Sequence, residues 1–208
     1  MGTKERRERE RKEIRTTILD AAREMFIAEG YEAVTMRKIA DRIEYSPTAI
    51  YFHFKDKDAL IHELCDADFE ALAHEFAGIA RIADPIEQIR RIGHAYADFG
   101  LRNPNHYRLM FMTPHPPYSP ADSRIQQGNP EEDAYAFLTQ VVALAIEQGR
   151  LRPELKDPDL VSQTLWGAVH GAVSLQIAKQ NDPWIDWKPL KKRVSLMIDA
   201  VIRGIERE

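Results

Sequence analysis

Between residues 35 and 57, in TMRKIADRIEYSPTAIYFHFKDK, hydroxyl, aromatic and basic side chains recur at spacings suited to holding phosphates. Arg37 and Lys38 fall in the first turn of a short helix, beside the positive end of its dipole, where a cation costs about 0.3 kcal/mol or more. A locally unfavourable charge points to a partner outside the fold, and a phosphate or a guanine edge would satisfy both side chains. Thr48, Tyr51 and His53 fall on the outer face of the next helix, and Lys55 and Lys57 follow directly. Lys57 enters the first turn of yet another helix, where free backbone N–H groups add to its charge as an anion site.

These side chains need short, well-capped elements to hold them. Thr35 is an N-cap, and Val34 and Ile39 stand at the positions of a hydrophobic staple around it, so a helix begins at Met36. Ser46 and Pro47 form an N-cap and N1 pair for the second helix, whose Ile50 and Phe54 face inward. Asp56 caps the third. Upstream, Ile14, Ile18, Ala21, Ala22, Met25 and Phe26 make a helical apolar stripe that stops at Gly30. Residues 4–15 alternate in charge, with Glu5 four before Arg9 and Glu8 four before Lys12, as in a solvated helix extension. A basic arm reaching a minor groove or a phosphate is the alternative reading of the same run.

Beyond residue 57 the pattern stays helical. Residues 58–80 carry Leu60, Leu64, Ala67, Ala71, Leu72 and Phe76 on one long helix. Asp84-Pro85, Asn103-Pro104, Asn129-Pro130 and Asp157-Pro158 each set a capping residue before a Pro suited to N1, and Asp84 with Glu87 has the spacing of a capping box. They predict helices near 85–101, 104–112, 130–148 and 158–179, followed by a last one near 188–206 with Val194, Met197, Ile198, Val201 and Ile205 on one stripe. Residues 113–128, with four Pro, read as a surface loop. No stretch alternates as a strand does. The expectation is an all-α chain of about nine helices: an N-terminal three-helix domain with a helix-turn-helix over residues 1–57 (1–13 being the charged extension) and a larger helical bundle over 58–208.

Charge divides along the same line. The chain has a formal net charge of −4, yet residues 1–57 hold 13 Lys and Arg against 11 Asp and Glu, and residues 58–208 hold 16 against 22. The basic balance therefore sits where a nucleic-acid partner would dock. A single cysteine, Cys65, excludes an internal disulfide and a multi-cysteine metal centre. No apolar run reaches membrane-spanning length and the charged start is unlike a signal peptide, so the expected place is the cytoplasm.

The run Val34-Thr35-Met36-Arg37-Lys38-Ile39-Ala40, then Ser46, Ile50-Tyr51-Phe52-His53-Phe54-Lys55-Asp56-Lys57 and Leu60, resembles the N-terminal domain of TetR-type transcriptional regulators. The likeness covers about residues 14–64. It implies a DNA-binding domain on an all-α body that dimerises and binds a small effector, with the recognition helix from Pro47 to about Phe54. By motif position, Thr35, Tyr51, His53 and Lys57 would contact phosphates, while Arg37, Pro47 and Thr48 would lie near base edges; Lys38, Ser46 and Lys55 complete the DNA-facing set. Two positions depart from the family pattern: Glu44 stands at a turn where Gly is common, and Thr48 where the recognition helix often has Gly. Glu44 is thereby expected to adopt a left-handed backbone.

Farther on, LWGAVHGAVSL, with Trp166-Gly167 and His170-Gly171, resembles the C-terminal domain class of these regulators that carries a Trp, His and Gly motif. Read from its residues alone, the same stretch is a helix whose Gly167, Ala168, Gly171 and Ala172 admit another helix closely. The family pairs its last two helices across a homodimer, which assigns that role to the helices near 158–179 and 188–206. Phe99, Tyr107, Met110, Phe111, Phe137 and Val141, with Trp166 and His170, are the side chains suited to an apolar effector pocket between helices, ordinary core being the competing account of each.

Three rivals stand beside an effector-responsive repressor of a double-stranded DNA operator. An enzyme is disfavoured, because no Ser, His and Asp arrangement, phosphate-cradling Gly loop or zinc-hydrolase helix occurs, and nothing calls for a cofactor. A metal-responsive regulator would draw on His62, Cys65, Asp66 and His74, near one helix face. A constitutive repressor would lack only the effector.

Overall fold

The computed structural model describes residues 3–117 and 119–207. Among them nine α-helices form: α1 (Thr3–Glu29), α2 (Met36–Arg42), α3 (Pro47–His53), α4 (Lys57–Phe76), α5 (Pro85–Arg102), α6 (Pro104–Phe111), α7 (Ala134–Glu147), α8 (Pro158–Lys179) and α9 (Leu190–Ile205). The fold is all-α, and an isolated bridge between Leu151 and Glu206 is the one extended pairing among the described residues. Among the described residues no helix is long and apolar enough to cross a membrane.

The chain separates into two compact units. One holds the chain up to Asp68 together with Asn105–Arg124, and the other holds Phe69–Pro104 with the chain from Ile125 onward. The boundary between these units falls within α4, and α6 with the loop behind it belongs to the first unit. The reason is a set of bonds that ties the first part of α4 to α1, α6 and that loop. Arg15 pairs with Glu63, its Nε lying 3.0 Å from Oε1. The buried carboxylate of Asp68 accepts from Arg23 Nη2 at 2.9 Å and faces His106 Nδ1 at 2.7 Å. Asp66, also buried, accepts from Ser123 Oγ at 2.6 Å and from the Arg124 backbone N–H at 2.9 Å.

In the first unit, Ile18, Ala22, Phe26, Val34, Ile39, Ile50 and Leu60 are fully buried, so the apolar stripe of α1 does face inward, and α1 packs on α2. Gly30 ends α1 at φ 83°, its N–H bonding to Phe26 O at 3.0 Å. Residues 4–15 are helical and continuous with the packed part of α1, their side chains exposed up to Glu13.

In the second unit, α5 packs on α7, α8 and α9, and α8 packs on both α7 and α9. The closest approach is at Gly93 of α5, where a Cβ would stand 2.9 Å from Ile198 Cδ1 of α9. By contrast, among the described residues no other element lies within 4 Å of a Cβ at Gly167 or Gly171, so neither glycine receives a neighbouring helix of its own chain. One helix start differs from expectation. Asn129-Pro130 makes a turn, and α7 begins at Ala134 because Asp133 is its cap, accepting from Tyr135 N at 2.9 Å and Ala136 N at 3.1 Å. The chain end is stitched back beside α7, with Arg152 N bonding to Ile205 O and Arg207 N to Arg150 O, both at 2.9 Å.

Candidate nucleic-acid interface

The site is built on α2 and α3, which pack against each other in the first unit. The Thr35 hydroxyl accepts from Lys38 N at 3.2 Å, and Val34 and Ile39 are fully buried on either side, completing the staple. At its other end, α2 closes in a Schellman motif: Tyr45 N bonds to Ala40 O at 3.0 Å and Glu44 N to Asp41 O at 3.3 Å. Glu44 is the C′ residue and sits at φ 60°, the one non-glycine among the described residues with positive φ. Ser46 then caps α3 by accepting from Ala49 N at 3.2 Å, with Pro47 at N1.

Ile50 and Phe54 anchor α3 inward, and the opposite face is left open. Tyr51 is 55% exposed and Phe52 71%, beside exposed Pro47 and Thr48. Large rings this exposed on a seven-residue helix gain nothing for folding, so the face is available to a partner. Exposed Arg37 on α2 has no acidic partner among the described residues, while Lys55, almost fully exposed, stands 3.9 Å from Asp56.

Two cations expected to face phosphates also bond within the fold. Lys38 Nζ lies 2.9 Å from both Glu29 Oε2 and Ala33 O, so the charge that looked misplaced at the start of α2 is compensated by the end of α1. Lys57 Nζ donates to Tyr31 O at 2.8 Å and sits 3.9 Å over the Tyr31 ring, keeping at most its remaining donors for a phosphate. Asp56 caps α4, accepting from Ala59 N at 2.8 Å.

His53 is half-buried at the end of α3. Burial first, then the nearby positive charges of Arg11 and Arg15, lower its pKa and keep the ring neutral. Arg15 Nη1 donates to His53 O at 2.8 Å, and its guanidinium lies 4.2 Å from the Phe54 ring centre. The guanidinium of Arg11 lies 5.4 Å from the centre of the Phe52 ring. These two arginines of α1 were not among the expected site residues, because their link to α3 depends on tertiary placement that no local spacing reveals.

The side chains suited to an effector fall in both units. Phe99, Phe137 and Val141 are buried in the second, where Phe76 and Phe137 place their ring centres 6.1 Å apart. Tyr107, Met110 and Phe111 belong to the first, with the Tyr107 and Phe111 ring centres 4.9 Å apart. Trp166 and His170 meet at buried Tyr96, a residue the sequence did not single out: Trp166 Nε1 donates to Tyr96 Oη at 3.0 Å, and Tyr96 Oη lies 3.1 Å from His170 Nδ1. The indole can only donate, so Tyr96 Oη accepts from Trp166, and an imidazole with its hydrogen on Nε2 would accept the phenol hydrogen at Nδ1. Burial lowers the His170 pKa, which favours that neutral ring.

Two of the side chains named for a metal-responsive regulator, Cys65 and Asp66, are buried. Burial, with Asp68 and Asp66 close by, pushes the Cys65 thiol up to about 12, Asp66 is engaged by Ser123 and Arg124, and no three His, Cys, Asp or Glu side chains are grouped to hold a metal among the described residues.

A short helix presented outward across a tight turn from its support defines a helix-turn-helix protein. Two family models match in succession: bacterial regulatory proteins of the tetR family over residues 18–64, and the tetracyclin repressor-like C-terminal domain over 89–201. The chain belongs to the TetR family of bacterial regulatory proteins, which makes it a regulator and not an enzyme. It is 44% identical over 59 residues to the HTH-type transcriptional repressor Rv1474c of Mycobacterium tuberculosis, a match that covers 28% of this chain and only 32% of the relative's length. It is 28% identical over 167 residues to the HTH-type transcriptional repressor KstR2 of the same species, covering 74% of this chain and 79% of the relative. Among solved structures it shares the fold of the fatty acid degradation regulator FadR from Bacillus halodurans, with a TM-score of 0.70 at 15% identity over 90% of this chain and 94% of that one.

Proposed function

We propose that the chain is a homodimeric DNA-binding transcriptional regulator, a repressor released from a pseudo-palindromic operator by a small, mostly apolar ligand. The observation that carries this reading is the open face of α3, with Thr48, Tyr51 and Pro47 on a helix locked by its cap and by Ile50 and Phe54. Arg37, Thr48 and Pro47 meet base edges, and Thr35, Tyr51, His53, Lys55 and Lys57 meet phosphates. Ser46 and Lys38 act by holding α3 and α2 in place. Two relatives named as repressors support the sign of regulation.

Functionally, residues 1–57 carry the operator-facing surface, and residues 58–208 carry ligand binding and dimerisation. The dimer forms through α8 and α9, whose open sides bear Leu160, Gly167, Gly171 and Leu175 on one helix and Leu196 on the other, with Leu160 60% and Leu196 73% exposed. The ligand is apolar because Phe99, Phe137 and Val141 offer aromatic and aliphatic walls, while Tyr96, Trp166 and His170 supply a polar group for orientation. Release requires that the ligand prefer a geometry that does not fit DNA, passed along the continuous helix α4. The protein acts in the cytoplasm, where the operator is.

Selection of duplexes from a random-sequence pool by the full chain tests the reading. Enrichment of two inverted half-sites about one helical turn apart is expected. No enrichment over unselected DNA overturns it, and an apolar compound that raises the melting temperature yet leaves operator affinity unchanged overturns the release mechanism alone.

A further inference from the structure

The part of α1 that precedes its packed stripe is not evenly charged around its circumference. At about 100° per residue, Lys4, Arg7 and Arg11 fall within one narrow sector, in line with Arg15 and with the buried Ile18. All three are exposed, and none has an acidic partner among the described residues. On another face Arg6 pairs with Glu10 at 3.4 Å, while Lys12 is exposed like the three, and in the sector itself Arg15, one turn below Arg11, is taken up by Glu63. The sector is also the one that meets α3, since Arg11 lies over the exposed ring of Phe52 and Arg15 bonds to His53 O.

We propose that Lys4, Arg7 and Arg11 form a second phosphate-binding track that runs from the recognition helix along the backbone of the DNA flanking the operator half-site. This rests on the reading of α3 as the operator-facing helix. The three charges are spread over about 10 Å of helix axis, and duplex DNA offers a phosphate about every 3.4 Å of axis on each strand, so each cation meets a different phosphate. The Phe52 ring fixes the lowest of them, Arg11, against α3 by a cation–π contact. Because α1 continues as one helix into the packed stripe, the track is carried rigidly by the same element that supports α3 and needs no folding on binding. The track reads no sequence: it lengthens the footprint and adds affinity for any duplex long enough to reach it.

The test uses the full chain and two lengths of a duplex selected by it from a random pool, one cut at the ends of the selected half-sites and one extended by about ten base pairs, roughly one helical turn, on each side. Affinity is measured by fluorescence anisotropy across salt. Replacing Lys4, Arg7 and Arg11 together by Gln should lower the slope of log K against log salt by about 2.5 per protomer and weaken binding at least about tenfold at about 0.1 M salt on the long duplex. The loss should be smaller on the short one. The matching triple Arg6→Gln, Arg9→Gln and Lys12→Gln removes the same charge from the other faces and should change the slope by less than about one. All six residues are exposed and Gln is a good helix former, so thermal unfolding of both variants should match the parent. Equal slopes for the two triples, or an unchanged slope for the first, overturn the track while operator binding by α3 stands. Failure of the parent chain to select any duplex overturns both.

Discussion

At the scale of single residues, Glu44 shows how a local rule can be broken and tolerated. The Schellman turn after α2 needs a left-handed residue, and Glu44 supplies it at φ 60° without the freedom of glycine. Replacing Glu44 by Gly should therefore stabilise the chain by about 1 kcal/mol and raise the melting temperature by about 2–4 °C in a calorimetric scan. A fall would mean that the Glu44 side chain contributes more than its backbone costs. His170 gives a pH signature. Its folded pKa lies below the ordinary value of 6.5, so the unfolded chain takes up a proton first as pH falls. The stability it contributes is fully present above 6.5 and is lost as pH drops through the lowered folded value. His170→Asn should flatten the decline in urea midpoint below about pH 6.5, whatever it does to stability at neutral pH; an unchanged slope would contradict the neutral, Tyr96-bonded ring. Individual cations were the least legible feature. Lys38 and Lys57 have the charge and place of phosphate ligands, and each also bonds within the fold, to Glu29 and to Tyr31, partners that come near only through the turn after α1.

Elements were more readable than residues where a cap spoke clearly. Ser46-Pro47, Asp84-Pro85 and Asp157-Pro158 open α3, α5 and α8 as expected, each side chain accepting a bond from the first turn. Asn129-Pro130 carries the same signal and opens nothing, because Asp133, four residues on, captures two N–H groups and sets the start of α7. Two caps compete there, and only tertiary placement decides. The small face of α8 was visible as Gly167, Ala168, Gly171 and Ala172, but among the described residues no helix approaches Gly167 or Gly171; the close approach to a glycine occurs at Gly93. If a second copy covers that face, Gly171→Arg should convert the dimer to a monomer in sedimentation while the protomer's helical circular dichroism stays unchanged. A dimer that persists would move the interface elsewhere.

For the molecule as a whole, the charge division along the sequence falls near residue 57, and the boundary of the compact units falls within α4. Asp66 and Asp68, two buried carboxylates on α4, bind Arg23 of α1, His106 of α6 and the loop at Ser123, and so draw α6 into the unit that holds α3. Each such partner is 38 or more residues distant in sequence, beyond the reach of any spacing argument. The claim on which everything else depends is that the open face of α3, with Arg37 beside it, reads a base sequence. The direct measurement is the ratio of affinities for the selected operator and a scrambled duplex of equal length, at one fixed salt concentration, for the parent chain, Arg37→Ala and Tyr51→Ala. The ratio should fall about tenfold or more for Arg37→Ala, and stay constant for Tyr51→Ala while both affinities drop. A ratio unmoved by Arg37→Ala, with both affinities lowered alike, would show that this surface holds only the backbone and that the sequence is read elsewhere.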